Sequence, residues 1–256
     1  DHRDLHSFPT RRSSDLAYRF KDWNTRAFAA YQAGQLDEAA LYWKRAVEVS
    51  DGDPADAALA LVNRSVLLVE LGRHDEAVAA CDLAESRYGA DSAPALREQV
   101  AKALNIKSVA QGKLGRHDDV VVTCELVESR YGADSAPRLR EQVAKALYNK
   151  GVALDALGRH DEAMVACGLV DSRYGADSAL GLRQQVAQAL YNKGVVLCTL
   201  GRYDDAVAAW DMVDRRYGTD PAPGLREQVA KALNNKGVAV GRLGRNDEAV
   251  AIFDLV

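Results

Sequence analysis

The chain has 256 residues, a formal net charge of −4 and four cysteines. A mildly acidic chain without a basic stripe excludes general binding to nucleic-acid phosphates, and no apolar run approaches the ~18 residues of a membrane-spanning helix. Four Cys in this length do not make a disulfide framework, so a reducing, cytoplasmic setting is the expectation.

Residues 1–16 are set aside. Asp4 to Leu16 resembles the translation of a short-read sequencing adapter, and the upstream adapter bases supply Asp1, His2 and Arg3. The three Arg and three Asp of this segment cancel, so the charge argument is unaffected. With no initiator Met, and with the last repeat stopping at Val256, the natural protein is expected to be longer.

From Ala17 onward the chain is organised by recurrence. Leu71-Gly72-Arg73-His74-Asp75-Glu76-Ala77 returns, with small changes, around Gly115, Gly158, Gly201 and Gly244, 43 residues apart each time. A looser copy surrounds Gly34. A fixed period of this size means stacked structural repeats. The units read as about 17–50, 54–89, 92–132, 135–175, 178–218 and a shortened 220–256.

The first unit places Trp23, Ala27, Ala30 and Tyr31 on one helix and Ala39, Trp43 and Ala46 on the next. Asp51-Gly52-Asp53-Pro54 then breaks the chain. The fourth unit shows the pattern most openly. Leu139, Val143, Leu147, Gly151, Leu154 and Leu157 recur at steps of three or four, one stripe of a helix about 20 residues and ~30 Å long. Ser135-Ala136-Pro137 signals its start and Gly158 its end. Ala163, Cys167, Val170 and Tyr174 stripe a second helix, with Asp161 and Glu162 in its first turn and Gly175 expected to close it in the left-handed conformation. No segment alternates as a strand would, so the fold is expected to be all-α.

These residues resemble the tetratricopeptide repeat, whose signature is W-x2-L-G-x2-Y followed by A-x3-F and P. The fourth unit reads Leu147-x2-Lys150-Gly151-x2-Leu154, then Ala163-x3-Cys167; the first keeps Trp23 and Ala39-x3-Trp43, the fifth Ala206-x3-Trp210 and the sixth Ala249-x3-Phe253. The resemblance implies a right-handed α-solenoid of stacked antiparallel helix pairs, its first helices lining a concave groove. Two features depart from the family. The period is 43 rather than 34, and the nine extra residues, such as Ser178 to Val186, lengthen the first helix. A basic residue precedes the motif Gly where the family has Leu: Arg26, Arg64, Lys107, Lys150, Lys193 and Lys236. Two readings of that cation stay open, a stem along the apolar stripe whose ammonium meets a boundary carboxylate, or a functional charge.

By the same resemblance the groove is the expected binding surface, for a peptide or a partner helix. Opposite the apolar stripe stand Lys145, Tyr148, Asn149, Val152 and Asp155 in the fourth unit. The corresponding sets are Asn63; Lys102, Asn105, Ile106 and Val109; Gln188, Tyr191, Asn192 and Val195; and Lys231, Asn234, Asn235 and Val238. Amides offer donor and acceptor and Lys offers charge, which suits an acidic segment or a C-terminal carboxylate. Ile106 interrupts the Asn column.

Other chemistry reads as structure. His74, His117 and His160 fall in separate repeats, so they cannot converge on one metal. Tyr203 and Asn246 fill their slot elsewhere. Cys81, Cys124 and Cys167 occupy the position of Trp43, Trp210 and Phe253, a core slot; Cys198 stands alone, and Tyr88, Tyr131, Tyr174 and Tyr217 read as packed helix-end aromatics. There is no phosphate-binding glycine loop, and no catalytic residue, metal or cofactor is assigned. The expected function is a protein-interaction scaffold rather than an enzyme. The alternative is the sensor or regulatory arm of a larger ATPase, protease or transcription regulator. Partners are expected to be proteins or peptides, neither nucleic acid nor membrane, with self-association through the shortened last repeat.

Overall fold

The computed structural model describes residues 19–49 and 53–255; residues 1–16, read as adapter-derived, lie outside them. Among the described residues the chain forms twelve α-helices and no strand. They are α1 (Phe20–Gln32), α2 (Leu36–Glu48), α3 (Pro54–Glu70), α4 (His74–Tyr88), α5 (Pro94–Lys113), α6 (His117–Tyr131), α7 (Pro137–Ala156), α8 (His160–Tyr174), α9 (Leu180–Thr199), α10 (Tyr203–Tyr217), α11 (Pro223–Arg242) and α12 (Asn246–Phe253). Odd-numbered helices are the first, and even-numbered the second, of six pairs. From α5 to α11 every first helix has 20 residues, the length expected from the extended period.

Contacts gather the chain into two compact units, one ending at Ala110 and the other starting at Gln111, within α5. In the first, Trp23, Trp43, Leu61, Leu67, Leu68, Cys81 and Ala103 share one core. In the second, α6 packs on α7, α8 on α7 and α9, α10 on α9 and α11, and α12 on α11, with α7, α9 and α11 also touching in succession. Leu147, Leu154, Leu182 and Leu225 are at most 1% exposed. Burying each contributes about 1.5–3 kcal/mol. No pair could enclose that surface alone, so the stack, not the single repeat, is the folding unit.

Local signals set the helix ends. Gly34, Gly72, Gly115, Gly158, Gly201 and Gly244 all have φ between 72° and 77°. At Gly158 the Arg159 N–H donates to Leu154 O at 2.8 Å and the Gly158 N–H to Asp155 O at 2.9 Å. That double bond is the Schellman stop, which turns the chain into the second helix within three residues. Before the first helices an Asp closes the turn: Asp134 Oδ1 accepts from Ala136 N at 2.8 Å, and Asp91, Asp177 and Asp220 repeat the contact. The start signal is therefore Asp134 with Pro137, not Ser135. Pro at the first helical position gives up a donor that would have had no intrahelical partner.

Gly175 corrects an expectation. Its φ is −60°, right-handed, and its N–H continues the helix to Asp171 O at 2.7 Å. Space rather than handedness favours glycine, because a Cβ would stand 2.5 Å from Asp171 O.

The two helices of a pair cross where the motif Gly meets the second-helix slot. A Cβ on Gly151 would lie 2.7 Å from Cys167 Sγ, one on Gly194 2.5 Å from Trp210 Cε2, and one on Gly237 2.6 Å from Phe253 Cε1. Gly168 is different: it lies in the middle of α8 and a Cβ there would meet nothing within 4 Å. Two Gly→Ala changes should therefore have opposite signs. Gly168→Ala should stabilise by about 0.5–1 kcal/mol, through helix propensity alone. Gly194→Ala should destabilise by about 1–3 kcal/mol, because Trp210 must shift. Urea unfolding of both variants measures the pair.

Candidate functional site

The residues expected to bind lie on the first helices, and the two compact units are taken in turn. In the first, Asn63 is half-buried and its Nδ2 has no hydrogen-bond partner among the described residues. Lys102 pairs with Glu98 at 2.5 Å along its own helix. Asn105 is buried, with Nδ2 donating to Ala101 O at 3.2 Å, so it lies beneath the face rather than on it. Val66 and Val109 are exposed.

In the second unit Val152 and Val238 are exposed and Val195 half-exposed, an apolar line across α7, α9 and α11. Beside it lie Lys145, Tyr148, Asn149, Gln188, Tyr191 and Asn192, all half-buried, with Lys231 and Asn234 exposed. Several of these polar groups already hold partners. Asn235 Nδ2 donates to the Tyr191 hydroxyl at 3.0 Å, linking α11 to α9, and Asn192 Nδ2 points at Cys167 Sγ, 3.8 Å away. Lys231 pairs with Glu227 at 2.6 Å, and His160 Nδ1 meets Asp155 Oδ1 at 2.8 Å. Burial pushes the Tyr148 phenol above its ordinary range, so it stays a neutral donor.

A cleft of about 430 Å³ opens at the C-terminal end of this face, between α9 and α11 over α10. Val195, Asn235 and Val238, all expected on this face, line it. Cys198, Thr199, Tyr203, Trp210 and Arg242 line it too, and sequence reasoning had not assigned them to the face. Trp210 belongs to a second helix and its Nε1 donates to Tyr191 O at 3.1 Å, so it reaches the first-helix side through the crossing. The available signal was periodic: Cys198 stands 43 residues after Asp155, already placed on that face.

The repeated cation resolves for most positions. Lys107 meets Asp82 at 2.6 Å, Lys150 meets Glu125 at 2.9 Å and Lys236 meets Asp211 at 2.5 Å, each reaching back to the second helix of the preceding pair. Arg64 turns instead to Glu76, 3.6 Å away. His74, His117 and His160 each open a second helix, and among the described residues no group of three or more His, Cys, Asp or Glu is placed to hold a metal. Burial pushes the Cys81 thiol up to about 12 and the Cys167 thiol up to about 11. No helix of the described residues is long and apolar enough to cross a membrane.

Stacked helix pairs with a striped, partly apolar face define a helical-repeat protein. A model described as tetratricopeptide repeat matches residues 24–94 and 176–221, and a second model of the same description matches residues 144–170. The chain belongs to the tetratricopeptide repeat family. No curated protein matches it. Among solved structures it is similar to the apo form of RapI, at 11% identity and a TM-score of 0.71, covering 91% of this chain and 62% of RapI. It is also similar to BtubC (BKLC) from P. vanneervenii, at 15% identity and a TM-score of 0.62 over 93% of this chain and 89% of that one. A Rap protein complexed with competence and sporulation factor aligns at 16% identity and a TM-score of 0.53 over 92% and 73%. The chain thus spans less than two thirds of RapI's length.

The four cysteines give a direct check on the packing. At pH 8 a thiol reagent should modify Cys198, which is half-exposed, rapidly, and Cys81, Cys124 and Cys167 only on unfolding. The raised thiols add a sign. Their stabilising contribution is present below the ordinary 9.0 and is lost as pH climbs toward 11–12, so alkaline titration should lower the melting temperature in that window.

Proposed function

We propose that this chain is a protein-interaction scaffold whose first-helix face holds an extended peptide or a partner helix. The observation that carries it is the apolar line of exposed Val152 and Val238 and half-exposed Val195, flanked by Lys145, Tyr148, Tyr191 and Lys231 and ending in the Trp210 cleft. Apolar area supplies affinity, while the cations and amides set register and favour an acidic or C-terminal segment. Asn149, Gln188, Asn192, Asn234 and Asn235 complete the proposed surface of the second unit, and Asn63 and Lys102 hold the corresponding positions of the first. Asn105 contributes from below, by fixing the helix. The likeness to the Rap protein with competence and sporulation factor supports the reading, since that complex shows the fold with a bound factor.

A second reading treats the array as the sensor or regulatory arm of a longer signalling protein. Its support is that the chain covers 62% of RapI. The exposed Val250, Phe253 and Leu255 near the last helix support self-association there, which concentration-dependent light scattering measures.

Cys198 gives the face its own reporter. Peptides from an array that bind the wild type should slow alkylation of Cys198, and the triple change Lys145→Ala, Asn149→Ala and Asn192→Ala should weaken binding about tenfold or more. Binding that persists in the triple variant and leaves Cys198 alkylation unchanged removes this face from consideration.

A further inference from the structure

Among the four lysines of the repeated cation one is an exception, and it coincides with a cavity. Lys193 lies 25 residues after Gly168, the spacing that separates Lys107 from Asp82, Lys150 from Glu125 and Lys236 from Asp211. Glycine has no carboxylate to offer. Among the described residues no carboxylate stands within ion-pair distance of Lys193, whereas its three counterparts are paired at 2.5–2.9 Å.

Beside Lys193 the groove between α8 and α10, floored by α9, opens into a cleft of about 580 Å³. The neighbouring groove, where Lys150 is paired with Glu125, holds about 240 Å³. Both methionines of the chain, Met164 and Met212, line the larger cleft. Four of the other repeats carry Val78, Val121, Val207 and Val250 in the first of these slots, and four carry Leu83, Leu126, Leu169 and Leu255 in the second. Three departures from the repeat, Met164, Gly168 and Met212, thus fall around one cleft. Gly168 shares the α8 face of Met164, Val165 and Asp171 by helical spacing. Leu190 and Leu197 form the apolar floor on either side of Lys193. Methionine walls are adaptable, and a half-buried ammonium on an apolar floor binds a carboxylate more strongly than one in open water.

We infer that this cleft is a second binding site, which takes one acidic side chain of a partner peptide on the ammonium of Lys193, with an adjoining apolar side chain between Met164 and Met212. The chain itself shows the chemistry of the missing partner, because Asp82, Glu125 and Asp211 fill the same place in three other repeats. The other charges in the lining are accounted for. Arg202 is held by Asp205 at 2.7 Å and Asp171 by Arg216 at 2.5 Å. Asp161 is exposed and has no counter-ion among the described residues, so it repels a second acid. The cleft therefore selects a single carboxylate flanked by apolar residues over a polyacidic run. It faces the second helices, away from the Lys145 and Asn149 surface, and stands independently of the groove reading.

The test uses capped heptapeptides with one central Glu between Leu and Met, and the same peptides with Gln in its place, titrated against the full chain. The wild type should prefer Glu about tenfold or more, the scale of one charge-assisted hydrogen bond. Lys193→Met should abolish that preference while keeping the fold. Gly168→Asp should abolish it as well by supplying the internal carboxylate, and Gly168→Ala should retain it. Lys145→Ala should leave it unchanged, which separates this site from the first-helix face. Coupling between Gly168→Asp and Lys193→Met in urea unfolding gives a second readout, since the acid should stabilise only while Lys193 is present. Absence of any Glu preference in the wild type, or its survival in Lys193→Met, overturns the assignment.

Discussion

The structure depends on how closely two helices of a pair can cross. At Gly194 the backbone of α9 comes so near the Trp210 ring that no side chain fits between them, and Gly151 and Gly237 repeat the arrangement against Cys167 and Phe253. Close approach brings the apolar stripes of both helices into the same layer. It also lets a second-helix side chain reach across: the Trp210 indole bonds a carbonyl of α9 and lines the cleft on the opposite side. One packing constraint thereby shapes both the core and the candidate surface. Where the slot holds Cys81 and Cys167, burial keeps the thiol neutral.

Charge plays a secondary and more positional part. Pairs such as Arg159 with Glu162 are exposed and contribute little to stability on their own. Their value lies in register. Lys107, Lys150 and Lys236 each tie a first helix to the second helix before it, while Arg140 with Asp177 and Arg183 with Asp220 tie helix starts to the following turn. A lattice of this kind makes any missing member visible, and Lys193 is conspicuous for that reason. Apolar burial holds the stack together, and the ion pairs fix how one pair meets the next.

Much of the fold was legible because the signals are local and repeated. The 43-residue spacing of Gly72 to Gly244 fixed the unit, and the three-or-four stripe of Leu139 to Leu157 fixed the long first helix, observed at 20 residues. Glycine at the pair turn was also readable, since only a left-handed residue makes that stop. Gly175 was misread, because the same residue type served there to avoid a clash that no pattern reveals. The role of Asp134 was hidden in a string of turn-forming residues whose hydrogen bonds depend on the exact path of the chain.

The sequence by itself determined the repeat, the alternation of long and short helices and the face on which polar residues accumulate, because each follows from the period of a helix. Only the tertiary structure decided which of those polar residues are free to meet a partner. Asn105 sank below the surface, Asn235 bonded Tyr191, and Trp210 emerged on a face its own helix does not form. The last two turn on contacts between residues 44 and 19 positions apart, set by how helices pack within a pair and between pairs and not by the period of any one helix.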